Sequence, residues 1–141
     1  MQLGQAQVVR SDWHDRTPSP ILLQVNGGFA PHADTVRFTY TVPANRKAFI
    51  ESFISSLFVN VLQTTHQNTN SFVRADIAGA GFIMLAKHHL YSGAVYQGND
   101  MTAKIGLLLN AGDIIEGQTG DNSAGGNVSH IFSVNGVEFD A

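Results

Sequence analysis

Apolar and polar residues alternate along much of the chain, and this alternation predicts strands rather than helices. In Thr35–Val42, threonines and Arg37 share one face and four apolar side chains share the other: Val36, Phe38, Tyr40 and Val42. A second alternating stretch, Asn127–Phe139, carries His130 among its apolar positions and contains Asn135-Gly136, which indicates a turn or bulge. A period of two is that of a strand with one buried face.

Residues 47–65, KAFIESFISSLFVNVLQTT, fit two patterns. Apolar residues recur there at helical spacing, yet five of them share the parity of one strand face: Phe49, Phe53, Leu57, Val59 and Val61. Aromatic, β-branched and serine residues favour a strand, and no capping box precedes the segment. We therefore predict one long strand that can contain a kink.

Further apolar segments, each bounded by Gly, Asn or Asp, complete the pattern: 21–26, 71–79, 81–91 and 102–110. About eight short strands without helix–strand alternation predict an all-β fold, an antiparallel β-sandwich or barrel. With 141 residues the chain is long enough for one domain with its own core.

The first 20 residues are polar, aperiodic and end in Pro18 and Pro20, which disfavour a helix. They predict an extended N-terminal arm, followed by a single β-sandwich domain over residues 21–141. Trp13, the only tryptophan, either fills the edge of its own domain's core or reaches a neighbouring subunit. For the second alternative the candidate contact residues are Trp13, His14, Arg16 and Pro18, because tryptophan and arginine are common at interface hot spots.

Composition changes this picture mainly through charge. Only 13% of residues are charged, against about 25% in a typical domain, and the net charge is −3. No basic run exists, so we expect no nucleic-acid partner. A surface of Ser, Thr, Asn and Gln is easily buried against another protein, although an ordinary β protein can carry one too.

The composition also bears on whether the protein enters a membrane and on which metal sites it can form. The chain has no cysteine, which excludes disulfides and thiolate metal sites. No apolar run reaches the roughly 18–20 residues that span a bilayer, and the first thirty residues lack the features of a signal peptide. We expect no membrane partner, and the sequence shows no export signal.

Residues 107–126, LLLNAGDIIEGQTGDNSAGG, hold the densest acids and glycines. Cupin-type sandwiches follow such a Gly-Asp turn with a proline and a metal-binding histidine, and those positions are Gln118 and Ser123 here. His88 and His89 are adjacent, so a strand would point them to opposite faces, where they cannot bind one ion. A cupin metal centre is not expected.

Other chemistry in this region is equally poorly supported. Asp121, Asn122 and Ser123 lack the spacing of an EF-hand, which leaves only a looser surface ion site open. No nucleophile motif occurs, and His130 is expected to be a half-buried structural residue. The carboxylate pairs Asp113–Glu116 and Asp76–Asp100 cannot be judged without distances.

The simpler interpretation is a turn over Asn110–Asp113, with Gly112 at positive φ and Asp113 accepting backbone N–H bonds. Gly120, Gly125 and Gly126 would then belong to a long, flexible loop. We predict no catalytic, cofactor-binding or metal-binding residues.

Two parts of the chain between Val36 and Ala141 resemble small virion proteins of tailed bacteriophages. YTVPANRKAFIESFISSLFV (40–59) is similar to the TVPAGKKA motif that begins a sheet in that family, although Asn45 stands where Gly is usual. LLLNAGDIIEGQTGDNSAGG followed by FSVNGVEFDA is similar to the family's L-x-AGD-x-I turn and terminal strand. These are turn-and-strand patterns, not catalytic signatures.

The resemblance implies a jelly-roll-like β-sandwich of about eight strands that acts without catalysis as a capsid decoration or cement protein. Its expected partners are the major capsid protein or another virion protein and two further copies, as a homotrimer, and its expected location is the virion, assembled in the host cytoplasm. The alternative is a carbohydrate- or receptor-binding module of a tail or fibre, with exposed Tyr91 and Tyr96 as candidates. An enzyme on this scaffold would need a pocket of converging polar groups.

Overall fold

The computed structural model describes residues 18–30, 32–59, 67–92, 97–121 and 128–141, and all regular structure in them is β-strand. The strands are β1 (Ser19–Phe29), β2 (His32–Thr41), β3 (Arg46–Val59), β4 (Gln67–Asp76), β5 (Phe82–Ser92), β6 (Gln97–Asn110), β7 (Ile114–Asp121) and β8 (Val128–Asp140). No part of these ranges forms a helix long and apolar enough to cross a membrane.

The strands form two four-stranded sheets, with orders β1-β8-β3-β6 and β2-β7-β4-β5. All paired strands are antiparallel, and of the strands consecutive in sequence only β4 and β5 pair with each other. Eight antiparallel strands that alternate between two sheets in this order form a jelly roll. The predicted fold class, an all-β antiparallel sandwich of about eight strands, is therefore confirmed.

Strand β3 crosses the centre of the first sheet and confirms the strand prediction for residues 47–59; residues 60–65 lie outside the described part. Its buried positions change parity, from Ala48 and Ile50 to Phe53 and Leu57, all of them fully buried. The change occurs at Glu51, which is an extra residue of β3 against β8. Against β6 the register shifts at the same place, but there the extra residue lies on β6, beside Gly106 at φ 66°. The predicted kink is therefore a β-bulge.

The Asn135-Gly136 pair lies within β8, opposite the β3 bulge, and is not a turn. Gly136 pairs with Ile50, and a Cβ added to Gly136 would fall on the backbone carbonyl oxygen of Phe49. Glycine is required here because the bulged strand approaches the β8 backbone too closely for a side chain.

The face prediction for Thr35–Val42 was wrong at Val36. A register shift between Val36 and Phe38 places a bulge at Arg37, so Val36 turns to solvent while Phe38, Tyr40 and Val42 remain on the inner side. The Arg37 guanidinium instead lies 3.8 Å from the centroid of the Phe29 ring, and its Nε donates a hydrogen bond of 2.7 Å to Thr119 Oγ1.

Phe132 of β8 lies at the centre of the core between the sheets and is 2% exposed. Its ring centroid is 5.6 Å from that of Phe53 in the same sheet and 5.8 Å from that of Phe38 in the other. Tilted aromatic pairs at these distances stabilise a core beyond their buried area. The two sheets are therefore packed on one another through this ring.

Strand β1 begins at Ser19, immediately after the exposed Pro18. Residues 1–17, which include most of the predicted arm, lie outside the described residues. The division into an arm over residues 1–20 and a domain over residues 21–141 stays a prediction.

Candidate interaction surfaces

Three tight turns meet at one end of the sandwich, and Asp113 joins them. Its carboxylate is buried and accepts two backbone hydrogen bonds, from Asn110 N at 2.8 Å and from Ala78 N at 2.9 Å. Gly112, at φ 90°, donates 2.9 Å to the Val42 carbonyl, and Val42 N donates 3.0 Å to the Asp113 carbonyl. The predicted turn over Asn110–Asp113, with its two assigned roles, is confirmed.

The β4–β5 turn at this end projects an apolar tip, which we define as residues 78–84. All of them are exposed, and none has a polar side chain: Ala78, Gly79, Ala80, Gly81, Phe82, Ile83 and Met84. Exposure reaches 52% for both Ile83 and Met84. Three consecutive large apolar residues in water are unusual enough to indicate a contact surface.

Polar side chains behind the apolar tip hold it in place. Gly81 N donates a hydrogen bond of 3.0 Å to Asp76 Oδ1, and the Arg74 guanidinium lies 4.2 Å from the centroid of the Phe82 ring. Arg74 is itself fixed by two hydrogen bonds, of 2.8 and 3.0 Å, to one oxygen of Glu116. The tip is thus supported by a cation–π contact and an ion pair.

A second apolar surface lies on the outer sheet face, by which we mean the solvent side of β1-β8-β3-β6. Five large apolar side chains there are about half exposed: Leu22, Ile54, Phe58, Leu108 and Ile131. An antiparallel sheet with one solvated face normally presents polar residues to water. The outer sheet face departs from that pattern.

A groove of about 280 Å³ crosses the middle of the outer sheet face. Ile54 and Ile131 are its large exposed apolar residues, and neutral polar residues from all four strands also line it, among them Gln24, Ser56, Thr102 and Ser133. Asp100 is the one charged residue of its lining. The groove can therefore accept an apolar group with little cost of desolvating ions.

Two serine–histidine pairs are buried between the sheets. His88 of β5 contacts Ser55 of β3 through Nδ1 (2.8 Å) and Asn99 of β6 through Nε2 (2.6 Å). His130 of β8 contacts Ser71 of β4 through Nδ1 (2.9 Å). Both serines and both histidines are at most 4% exposed, so no substrate reaches these hydroxyls. The pairs join the two sheets.

The histidine predictions have different outcomes. His88 points into the sandwich while His89 points outward and bonds Asn68, which confirms that the two face opposite ways. Burial lowers the pKa of His88, although the hydrogen bond to Asn99 opposes this shift. His130 is completely buried rather than half-buried, because its strand faces the core at every second residue.

The two carboxylate pairs that the sequence left open, Asp113–Glu116 and Asp76–Asp100, are not arranged as catalytic pairs. Asp113 is engaged by backbone N–H groups, and Glu116 by Arg74. Asp76 ends β4 in one sheet, whereas Asp100 lies on β6 in the other. Within the described ranges, no three His, Asp or Glu side chains are grouped so that they could hold a metal ion.

Asp121 and Gly120 belong to β7, which corrects the prediction that Gly120 lies in a flexible loop. A Cβ at Gly120 would collide with the Asp34 carboxylate, so the glycine serves close packing within a strand. Asp121 is 6% exposed and accepts a hydrogen bond of 3.4 Å from Thr69 Oγ1. The other predicted members of this loop and ion site, Asn122, Ser123, Gly125 and Gly126, lie outside the described residues.

The predicted contact residues are only partly placed. Pro18 is exposed next to β1, whereas Trp13, His14 and Arg16 lie outside the described residues. Of the two candidate tyrosines, Tyr91 is 59% exposed on β5 and Tyr96 is likewise not described.

Sequence reasoning missed the apolar tip because it assigned residues 71–79 and 81–91 to two ordinary strands. The available signal was a run of ten residues, Ile77–Ala86, that contains no polar side chain and spans a Gly-Ala-Gly turn. A run of that kind at a turn cannot be wholly buried, since turns lie on the surface.

No protein-family model and no curated protein matches the chain. Similar solved structures include that of infectious bursal disease virus strain Gx, with 11% identity, a TM-score of 0.43, and coverage of 88% of this chain and 32% of that one. The Desmodium yellow mottle tymovirus structure gives 9% identity, a TM-score of 0.40 and 88% coverage of both chains. The chain thus spans about a third of the first structure's chain. Likenesses this distant assign no function.

Proposed function

We propose that this chain is a non-enzymatic virion structural protein: a decoration or cement protein, assembled in the host cytoplasm, that binds the major capsid protein or another virion protein and stabilises a phage head. The observation that carries the proposal is the outer sheet face, which places five exposed apolar side chains on a jelly roll, around a groove in which Asp100 is the one charged residue. Such a face is suited to being covered by protein. In the proposed assembly the chain is a homotrimer.

The energy available from the outer sheet face explains why several copies would be needed. Covering a half-exposed Leu, Ile or Phe recovers roughly half of the 1.5–3 kcal/mol that full burial contributes. Five such side chains give roughly 5 kcal/mol, and association itself opposes binding by a similar amount. A trimer presents three such faces at once, so avidity raises the strength of binding without any new contact.

The proposed mechanism is binding alone. A protein that binds the closed shell and not the opened shell stabilises the closed one by mass action. The low proportion of charged residues, 13%, supports this, because few ions must lose their water when the surface is covered.

The test is co-sedimentation of the purified chain with capsids of the parent virus that lack it, together with calorimetry of capsid opening. We expect binding and a raised opening temperature. The double variant Ile54→Ser/Ile131→Ser should bind at least tenfold more weakly. Val36→Ser is the matched control, because Val36 is 45% exposed on the opposite sheet. Absence of binding by the unaltered chain, or equal binding by the double variant, would reject the proposal.

The second candidate is a glycan- or receptor-binding module, which the exposed Tyr91 favours because sugars stack on exposed aromatic rings. A glycan array distinguishes the two. A specific signal that Tyr91→Ala abolishes would support the module, whereas capsid binding with an empty array would leave the decoration protein as the better account.

A further inference from the structure

The proposed function gives no role to the apolar tip, residues 78–84. Positive φ at Ala78, Gly79 and Gly81 closes its tight turn, and three large exposed apolar side chains follow directly. We propose that the apolar tip inserts into the interfacial layer of a lipid bilayer, independently of any capsid contact. The expectation of no membrane partner came from the lack of a spanning run, which a turn that enters one leaflet does not need.

The hydrogen bonding of the apolar tip favours lipid over a protein partner. None of its residues has a polar side chain, whereas a protein interface forms about one hydrogen bond per 100–200 Å². The N–H groups of Ala78, Ala80 and Gly81 are already bonded within the chain, at 2.9, 3.1 and 3.0 Å. A surface that enters lipid must satisfy its donors internally in this way, because acyl chains offer no acceptor.

The turns beside the apolar tip also carry no charge. Residues 43–45 (PAN) and 110–112 (NAG) are all exposed, and Asp113 holds both of these turns against the base of the tip. Charged groups would have to lose water on approaching a bilayer. This end of the sandwich can therefore approach a membrane with little cost of desolvating ions.

The charges behind the apolar tip determine which lipid it prefers. Arg74 is paired with Glu116 at 2.8 Å, whereas Asp76 and Asp113 bond backbone N–H groups. The base of the tip is therefore negative, as is the whole chain at −3. We expect insertion into neutral phosphatidylcholine that salt does not weaken, and less insertion where phosphatidylserine is abundant, because like charges repel.

A single apolar tip binds weakly. Phe82, Ile83 and Met84 are 38%, 52% and 52% exposed, which leaves the equivalent of roughly seven CH2 groups to bury, half as many as a myristoyl chain has. One myristoyl chain already gives only reversible binding, so the tip needs a second attachment to hold a membrane. Several copies on one particle, or a tether, would supply it by raising the effective concentration.

A tether at residue 141 makes this weak insertion measurable. Ala141 N donates a hydrogen bond of 2.9 Å to the Asn45 carbonyl, so residue 141 lies at the same end of the sandwich as the tip. A hexahistidine tag added there holds the full chain on phosphatidylcholine vesicles that contain a little nickel-chelating lipid. The chain has no cysteine, so Ala80→Cys carries a single NBD fluorophore. Its emission should shift to the blue and be quenched by nitroxide-labelled lipid, whereas NBD at Thr102→Cys, on the other sheet, should report water.

Two matched double variants of the labelled protein test whether insertion depends on the apolar tip. Ile83→Ser/Met84→Ser removes the equivalent of about four buried CH2 groups and should lower insertion roughly tenfold or more. Leu22→Ser/Ile54→Ser removes two similarly exposed side chains from the outer sheet face and should leave insertion unchanged. Circular dichroism checks that both variants fold. Equal insertion by the tip variant, or equal losses in the two variants, would overturn the inference.

Other occupants of the apolar tip would give different results, each of which also overturns the inference. NBD that reports lipid only with phosphatidylserine at low salt would indicate electrostatic adsorption. An oligomer of the 15.2 kDa chain that Ile83→Ser/Met84→Ser dissociates in light scattering would mean that a second copy covers the tip. Loss of capsid binding in that variant would make the tip part of the capsid contact. Capsid co-sedimentation of the unaltered chain decides the proposed function separately.

Discussion

Replacing Asp113 by alanine should loosen the whole end of the sandwich where the turns meet. The substitution removes two charge-assisted hydrogen bonds, to Asn110 N at 2.8 Å and to Ala78 N at 2.9 Å. Bonds to charged groups contribute about 1.5–3 kcal/mol each. Both N–H groups are only partly buried and can recover some water, so we take the lower value and expect a loss of about 3 kcal/mol in the free energy of unfolding.

Two comparison variants make the Asp113 prediction specific. Asp113→Asn keeps one good acceptor oxygen but turns an NH2 group toward the other N–H, so it should lose about 2 kcal/mol. Asp76→Ala removes a single bond to the exposed Gly81 N and should lose less than about 1 kcal/mol. Urea unfolding followed by circular dichroism provides the free energies.

Hydrogen exchange shows whether the loss is local. The Ala78 amide should exchange faster in Asp113→Ala than in Asp76→Ala. The exchange rates of amides in the centre of β3 should change only as much as the global free energy of unfolding changes. If Asp113→Ala and Asp76→Ala differ by less than about 0.5 kcal/mol, the size of an ordinary surface effect, Asp113 does not join the turns as argued.

Two other predictions concern the core. Because burial lowers the pKa of His88 while the unfolded chain keeps it near 6.5, the unfolded state binds a proton first as the pH falls. Stability should therefore decrease from pH 7.5 to pH 5.5, and His88→Asn should flatten that decrease in denaturant titrations; an equal slope in both proteins would contradict the assignment. Gly136→Ala should cost about 1–3 kcal/mol, since its Cβ would meet the Phe49 carbonyl, whereas Gly79→Ala has open space and costs only the strain of its positive φ. Thermal melting of the two glycine variants measures these losses of stability. If the Gly136→Ala protein is as stable as the unaltered one, β3 can move away from the added methyl group and the argument for Gly136 is wrong.

Local patterns in the sequence predict the strands and the Asn110–Asp113 turn well, because alternation and turn chemistry act over a few residues. Val36 was misplaced for a physical reason: a bulge at Arg37 depends on the partner strand β7, and the alternation of Thr35–Val42 contains no sign of it. The same holds for Gly120, whose packing against Asp34 is set by the pairing of distant strands.

The interaction surfaces could be predicted less well than the strands. Ile54 and Ile131 look like core residues in the sequence, and only the sheet order places them beside each other on a solvent face. The apolar tip had a visible signal in Ile77–Ala86, but separating that run into two strands concealed it. The sequence-based contact prediction concentrated on Trp13 and its neighbours, whose role stays a prediction.

The position of β8 has a consequence for how the protein is made. Strand β8 lies between β1 and β3, and Ser19 pairs with Glu138 near the other end of the chain. During synthesis the position between β1 and β3 therefore stays empty until β8 leaves the ribosome. Strand pairings between residues this distant in sequence form slowly. Until then both strands expose edges on which another nascent chain can pair. A ribosome that stalls before β8 would therefore release a chain prone to aggregation, so the yield of this protein in the cell should depend on chaperones that hold the unfinished first sheet.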